Sequence, residues 1–212
     1  MPKEELSKLV AGLAQYPDVY ILSDEIYSRM TYDGLSHHSL LAYPEIRDRL
    51  IVLDGWSKTY AMTGWRLGWG LWPDGLVSAA TRLCVNYHSC VNSAAQYAGI
   101  AALTGDQSPV DEMMTAFDER RRLIHKRLND INGISCVLPK GAFYAFANIK
   151  ETGLSSKAFQ NQLLEEEGVA TIAGTSFGSD GEGYLRFSYA NSADNINKAM
   201  DRLHAMIRKR GN

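Results

Sequence analysis

The sequence has few cysteines, and their arrangement excludes two kinds of small stabilised domain. The 212 residues include three, at Cys84, Cys90 and Cys136, with no Cys-x-x-Cys pair. An odd number at these spacings argues against a disulfide framework and against a zinc site. We therefore expect reduced, mostly buried thiols, and we predict no metal site.

Long apolar runs and an excess of charge of one sign are also lacking. No stretch reaches the roughly 18 apolar residues of a membrane span, and the net charge is -2. The basic triplets at 120–122 and 208–210 lie in helix-like stretches with acids and apolar residues, which is typical of solvated helix faces. We expect neither a nucleic-acid nor a membrane partner. No secretory signal is recognisable, so the expected location is cytoplasmic.

Two short apolar runs indicate a parallel sheet. Residues 19–22 and 51–53 are continuously apolar, the pattern of parallel strands that helices cover on both faces. Each run ends in polar residues, Ser23-Asp24 in one case and the stretch up to Lys58 in the other. Ligands of open α/β sheets bind beyond the carboxyl ends of the strands, so these two ends could share one crevice.

The rest of the chain changes character near residue 133. Helical patterns are predicted at the N-terminus, over 75–103 and from Pro109 to Ile131, with a strand at 67–71. Beyond Gly133 we predict two strands around a turn at 139–141, a helix from Ser155 or Ser156 to Glu167, strands at 169–174 and 184–190, and a helix from Ser192 to Ile207. We place the domain boundary inside the long helix, giving domains 1–120 and 121–212.

Lys58 is the residue whose position most needs a chemical explanation. A lysine at the end of a buried strand is costly unless its amine is discharged, paired or used covalently, as in a Schiff base. A carbonyl cofactor held in this way also needs an anion site and, for pyridoxal phosphate, a carboxylate beside the ring nitrogen. Ser57 and Arg66 are candidates for the phosphate site, and Asp24 is the candidate carboxylate.

Three segments together resemble a known family. "SDEIY" at 23–27, "SKTYAMTGWRLGW" at 57–69 and "GEGYLRFSYA" at 181–190 resemble the fold-type I pyridoxal phosphate-dependent aminotransferases, class I/II, of the aspartate-aminotransferase-like branch. The resemblance implies an α/β, three-layer fold: a partial large domain with a mostly parallel sheet, and a C-terminal α+β small domain. It also implies pyridoxal 5′-phosphate as cofactor.

The resemblance also assigns roles to individual residues. Lys58 would bond to the cofactor and shuttle the substrate α-proton, Asp24 would pair with the protonated pyridine nitrogen, and Tyr27 would hydrogen-bond the ring's phenolic oxygen. Ser57 and Arg66 would hold the phosphate. In the second domain, the implied ligand for the substrate α-carboxylate is Arg186.

Simpler roles for these residues remain open at this stage. Asp24 could cap a helix beginning at Glu25, and Tyr27 could be ordinary packing. Ser57 is a weak signal because serines are frequent at strand ends. Arg186 could form a structural ion pair. The neighbouring pair His37-His38 is best explained as part of an exposed loop.

The resemblance covers the C-terminal half of such enzymes. No "NPTG"-like motif precedes Asp24, so we expect the C-terminal portion, with an unpaired sheet edge and exposed apolar helix faces that favour a homodimer or another homo-oligomer. The predicted function is an aminotransferase acting on an amino acid and a 2-oxo acid. The alternatives are a catalytically inactive fragment or assembly module, and a carbon–sulfur lyase on the same scaffold.

Overall fold

The computed structural model describes residues 1–210, which divide into two compact units between Val110 and Asp111. The predicted boundary after residue 120 lies further along the same long helix and stays a prediction. The first unit contains α1 (Lys3–Leu13), β1 (Ile21–Asp24), β2 (Leu50–Gly55), β3 (Gly68–Leu71), α2 (Asp74–His88) and α3 (Ser93–Thr104). The chain continues with α4 (Ser108–Asn129), β4 (Ser135–Cys136), β5 (Tyr144–Asn148), α5 (Ser156–Glu167), β6 (Ile172–Ala173), β7 (Tyr184–Ser188) and α6 (Ala193–Arg210).

The first unit is built on a three-stranded sheet in the order β1-β2-β3. β1 and β2 are parallel, with Asp24 opposite Leu53, as their apolar runs predict. β3 is antiparallel to β2, with Gly68 opposite Gly55. A close approach of the two backbones explains this glycine pair, because a Cβ on Gly55 would lie 2.8 Å from the Cα of Gly68.

One hydrophobic core cluster of this unit packs α1 against a face of the sheet. Leu6 and Val10, one helical turn apart on α1, are buried against Ile21 and Val52. Leu22, which points to the opposite face of β1, is 59% exposed. The expectation that both faces of the parallel strands are covered is therefore wrong for β1, whereas Ile51 and Val52, on opposite faces of β2, are both buried. β1 begins at Ile21 rather than at Val19.

The helical patterns predicted over 75–103 correspond to two helices, α2 and α3. Ser89, which follows α2, has a positive φ of 60°, and α3 starts afresh with Asn92 as its cap. The Asn92 side chain accepts a hydrogen bond from the Ala95 amide at 3.2 Å. None of the residues of α2 is buried, so its apolar side chains face solvent.

The second unit is an antiparallel sheet in the order β4-β5-β7-β6, with α5 and α6. Ala145 and Ala147 of β5 and Leu185 and Phe187 of β7 alternate with more exposed neighbours and form the buried face of the sheet. Ser155 is the residue that caps α5, since its Oγ accepts from the Ala158 amide at 3.3 Å.

Two predictions about burial are wrong. Arg121, placed by the sequence pattern on a solvated helix face, is fully buried and contacts Asp118. Of the three free cysteines, only Cys136 is buried, whereas Cys84 and Cys90 are exposed. None of the helices described between residues 1 and 210 is both long and apolar enough to cross a bilayer.

Candidate active site

Four of the residues predicted to carry the chemistry meet at the carboxyl ends of β1 and β2. A cavity of about 380 Å³ lies there. Its lining contains four of the predicted site residues together with four that were not predicted: Asp24, Ser57, Lys58 and Arg66, and Ile26, Leu53, Asp54 and Thr63.

The parallel pairing of the two strands explains this convergence. Asp24 is the last residue of β1 and lies opposite Leu53, while the amide of Glu25 donates to the Leu53 carbonyl at 2.8 Å. β2 ends at Gly55, so the following loop carries Ser57 and Lys58 over the same edge of the sheet. Parallel strands end together, which makes this edge the usual place for a ligand.

Asp24 combines a local structural role with a position in the cavity. Its Oδ1 accepts a hydrogen bond from the Ile26 amide at 3.2 Å, so the side chain does cap a turn. The residues that follow form turns rather than the helix considered as an alternative. Asp24 is exposed, which leaves its carboxylate accessible from the cavity.

Lys58 is half-buried and lies next to Tyr27. Its Nζ is 5.9 Å from the centre of the Tyr27 ring. An ammonium at this distance from an aromatic face is weakly attracted to it. The structure therefore brings Tyr27 to Lys58, although Tyr27 is not among the residues that line the cavity.

Arg66 is fixed by its backbone and by one hydrogen bond. Its φ is 55°, in the left-handed region, which is uncommon for a residue other than glycine and typical of sites where surrounding structure imposes the conformation. Its Nη1 donates to the Thr63 carbonyl at 2.9 Å. The guanidinium thus joins Ser57 and Lys58 at the cavity wall.

Asp54 is a carboxylate of the cavity that the sequence analysis did not single out. Its Oδ2 accepts from the Ser28 hydroxyl at 3.1 Å and its Oδ1 from the Gly55 amide at 2.6 Å. The first bond ties the end of β2 to the residue that follows Tyr27. The position of Asp54 at the end of a buried strand, equivalent to that of Asp24, is the signal that could have identified it.

Arg186 belongs to the second unit, on β7. Its guanidinium carbon lies 4.3 Å from the centre of the Tyr144 ring and 4.5 Å from that of Phe177. No acidic partner for Arg186 is found among residues 1–210, so the structural ion pair considered as an alternative is not observed. Stacked guanidinium groups keep their edge N–H groups available for a planar anion such as a carboxylate.

Comparison with known proteins identifies the family. The family model "Aminotransferase class I and II" matches residues 1–203. The chain belongs to this family. The resemblance predicted from the three sequence segments is thereby confirmed.

Individual aminotransferases match nearly the whole chain. An aspartate aminotransferase from Pyrococcus abyssi is 39% identical over 99% of this chain and 54% of its own length. Aromatic-amino-acid aminotransferase 2 from Thermococcus litoralis is 40% identical over the same shares. Among solved structures, an aromatic aminotransferase from Pyrococcus horikoshii OT3 superimposes with a TM-score of 0.94 at 37% identity, covering 100% of this chain and 57% of that one. The chain thus spans about half the length of the relatives that it matches.

The cavity has the chemistry that pyridoxal phosphate, the cofactor of this aminotransferase family, requires. It combines a carboxylate, a lysine amine, a hydroxyl and a guanidinium, from Asp24, Lys58, Ser57 and Arg66. The residues present therefore fit a phosphorylated pyridine aldehyde.

Proposed function

We propose that this chain carries the lysine, the ring-nitrogen carboxylate and part of the phosphate site of a pyridoxal phosphate-dependent aminotransferase that acts on an amino acid and a 2-oxo acid. The observation that supports the proposal most strongly is the cavity that unites Asp24, Ser57, Lys58 and Arg66. The second unit would be the small domain, contributing Arg186. Pyridoxal phosphate, when bound, supplies the electron sink that acidifies the substrate α-proton.

The proposed residue roles follow from their chemistry. The carboxylate of Asp24 would hold a proton on the pyridine nitrogen, because an adjacent anion favours the charged form of that nitrogen. Ser57 and Arg66 would bind the phosphate, the latter through two parallel N–H groups. Tyr27 would donate its phenol to the ring oxygen beside Lys58.

Lys58 and Arg186 would act on the substrate. The Lys58 amine would first hold the cofactor and then, once released, accept the α-proton and return it. Arg186 would fork onto the α-carboxylate and so fix which α-bond is cleaved, favouring deprotonation over decarboxylation. We also propose a cytoplasmic homodimer or other homo-oligomer as the working assembly.

Labelling of Lys58 is the decisive experiment. The chain is mixed with pyridoxal phosphate, reduced with borohydride and mapped by peptide mass spectrometry. We expect the label on Lys58 and its loss in Lys58→Ala, while Lys140→Ala, a change of an exposed lysine, leaves it in place. Label scattered over surface lysines in both variants would contradict the proposal and favour the inactive assembly module.

Asp24→Asn separates binding from chemistry. The amide keeps the size of the side chain but holds no negative charge beside the ring nitrogen. We expect Lys58 to remain labelled while exchange of a substrate α-deuterium falls by about 100-fold, as when one preorganised electrostatic partner is removed.

A separate assay of the unaltered chain tests the alternative function. Release of a keto acid without any added amino acceptor would favour the carbon–sulfur lyase.

A further inference from the structure

Glu25 is a buried carboxylate for which the proposed site has no use. It is 8% exposed, yet both of its oxygens are engaged. Oε1 accepts from the Ser39 hydroxyl at 3.0 Å, from the Leu40 amide at 3.1 Å and from the Ser23 hydroxyl at 3.2 Å. Oε2 lies 2.9 Å from His37 Nε2. Burying a carboxylate is costly, and the arrangement is stable only when all of its hydrogen-bond donors are in place.

The backbone of Glu25 is fixed as firmly as its side chain. Its amide donates to the Leu53 carbonyl at 2.8 Å, and its own carbonyl accepts from the Ser28 amide at 2.8 Å. The residue stands between Asp24, at the cavity, and Tyr27, beside Lys58. Any rotation of the chain at Glu25 therefore moves Asp24 and Tyr27 relative to Lys58.

We propose that Glu25 is a positioning residue: its carboxylate, held by the segment His37–Leu40, fixes the turn that places Asp24 at the candidate cofactor site and Tyr27 beside Lys58. The relevance to catalysis rests on the proposed function, whereas the fixing of the turn does not. His37, which the sequence places in an exposed loop, has its ring directed to this buried carboxylate.

Because the Glu25 side chain is negatively charged, it can accept a hydrogen bond from His37 whether the His37 ring is neutral or protonated. Burial raises the pKa of the Glu25 carboxyl, but donors from His37, Ser39 and the Leu40 amide outweigh it, so the pKa lies below its usual range. Among the groups bonded to the Glu25 carboxylate in residues 1–210, His37 is the titratable one. The others are the hydroxyls of Ser23 and Ser39 and the Leu40 amide, which are neutral. A carboxylate accepts from the Nε2–H of either neutral or protonated histidine.

The hydrogen bonds of a glutamine at this position would depend on the protonation of His37. In Glu25→Gln, the side-chain oxygen can keep the donors of Oε1, and the NH₂ group then faces His37 Nε2. Neutral histidine can accept from this group through an unprotonated Nε2, but protonated histidine cannot. The variant should therefore hold the turn while the His37 ring is neutral and release it when that ring is protonated in acid.

The test compares pyridoxal phosphate affinity across pH in the full chain. Glu45→Gln, the same change at an exposed glutamate of the short helical segment Pro44–Arg49, is the matched control. Each dissociation constant is divided by that of the unaltered chain at the same pH, which cancels the pH effects that the two chains share. We expect the Glu25→Gln ratio to rise about tenfold between pH 8 and pH 5.5, because a bond to a charged group is lost, and the Glu45→Gln ratio to stay near one.

Amide hydrogen exchange provides a readout that needs no cofactor. The protection factors of the Leu40 and Ser28 amides report the side-chain and backbone bonds of Glu25 directly. In Glu25→Gln they should fall about tenfold on acidification, with near-ultraviolet circular dichroism unchanged as a check of folding.

The possible results separate the two proposals. If the unaltered chain carries no cofactor on Lys58, the proposed function fails, and the exchange data still decide whether Glu25 fixes the turn. A Glu25→Gln ratio that stays flat with pH and equal to that of Glu45→Gln, or unchanged protection of Leu40 and Ser28, would overturn the inference.

Discussion

Arg121 shows how strongly a single buried charge can be expected to influence stability. Its Nη2 lies 2.6 Å from Asp118 Oδ1, and its Nη1 donates to the Pro139 carbonyl at 2.7 Å. We expect Arg121→Ala to lower the free energy of unfolding by about 3 kcal/mol, the lower end of the range for breaking a buried ion pair. The lower end applies because Asp118 keeps contact with water and with Arg122.

Arg122→Ala is the matched control, measured by urea denaturation alongside Arg121→Ala. Arg122 pairs with the same carboxylate at 3.0 Å but is 57% exposed. Exposed pairs contribute about 0–1 kcal/mol, so this variant should be nearly as stable as the unaltered chain. Equal losses in the two variants would show that the burial of Arg121 adds nothing.

The three thiols should differ sharply in reactivity. Burial raises the pKa of Cys136 to about 11. At pH 8 only about one in a thousand of these thiols would be thiolate, the reactive form. An aromatic disulfide reagent should therefore modify Cys84 and Cys90 quickly and Cys136 only after unfolding in guanidinium. Three fast thiols in the folded chain would mean that Cys136 is accessible.

Residues at strand ends were predictable, whereas contacts across loops were not. Asp24 and Lys58 follow apolar runs, and the rule that parallel strands end at one edge is enough to place them together. The pair of Glu25 and His37 depends on the path of the intervening chain, which carries no periodicity. A lone carboxylate next to Asp24 gives no sign that hydroxyls and an imidazole will surround it.

At the scale of elements, the start of α5 contains two serines with different functions. Ser155 Oγ caps the helix through the Ala158 amide. Ser156 is fully buried, and its Oγ accepts from the amides of Gly183 and Tyr184 at 2.8 and 3.1 Å. It thereby joins the helix to Gly183 and to Tyr184, the first residue of β7.

Alanine at each serine should separate capping from tethering. Ser155→Ala removes one cap and should cost about 1 kcal/mol. Ser156→Ala leaves the buried Gly183 amide and the partly buried Tyr184 amide without this acceptor. A buried donor without a partner costs about 1–3 kcal/mol, so the loss from Ser156→Ala should be larger. Thermal or urea unfolding of both variants measures the difference. A larger loss from Ser155→Ala would place the stabilising role in the cap.

The sequence could indicate where elements lie better than how they pair. The apolar run before Asp54 predicts β2, and Ser192 predicts the start of α6, where its Oγ accepts from the Asn195 amide at 3.1 Å. The antiparallel direction of β3 is set by how it pairs with β2, and the residues of β3 alone do not encode this pairing. The break between α2 and α3 occurs at Ser89, a residue whose left-handed φ no propensity scale predicts.

At the scale of the whole molecule, exposed apolar surface is concentrated in the first unit. On α2 and α3, Leu83 is 67%, Tyr87 85% and Tyr97 77% exposed. β1 and β3 are the outer strands of their sheet in residues 1–210, and each has one edge without a strand partner there. Apolar surface of this kind, together with open edges, promotes association.

The isolated 212-residue chain should therefore self-associate. We expect sedimentation velocity to show a weight-average mass that rises with concentration above the 23.5 kDa of one chain. Leu83→Lys with Tyr87→Lys, one turn apart on α2, should shift the distribution toward the monomer, since lysine is tolerated in helices and disfavours apolar contact. Val137→Lys, at a residue of the second unit that is 83% exposed, is the control and should change little. A chain that stays monomeric at about 100 μM, well above the concentrations of typical micromolar association, would show that this apolar face needs no cover.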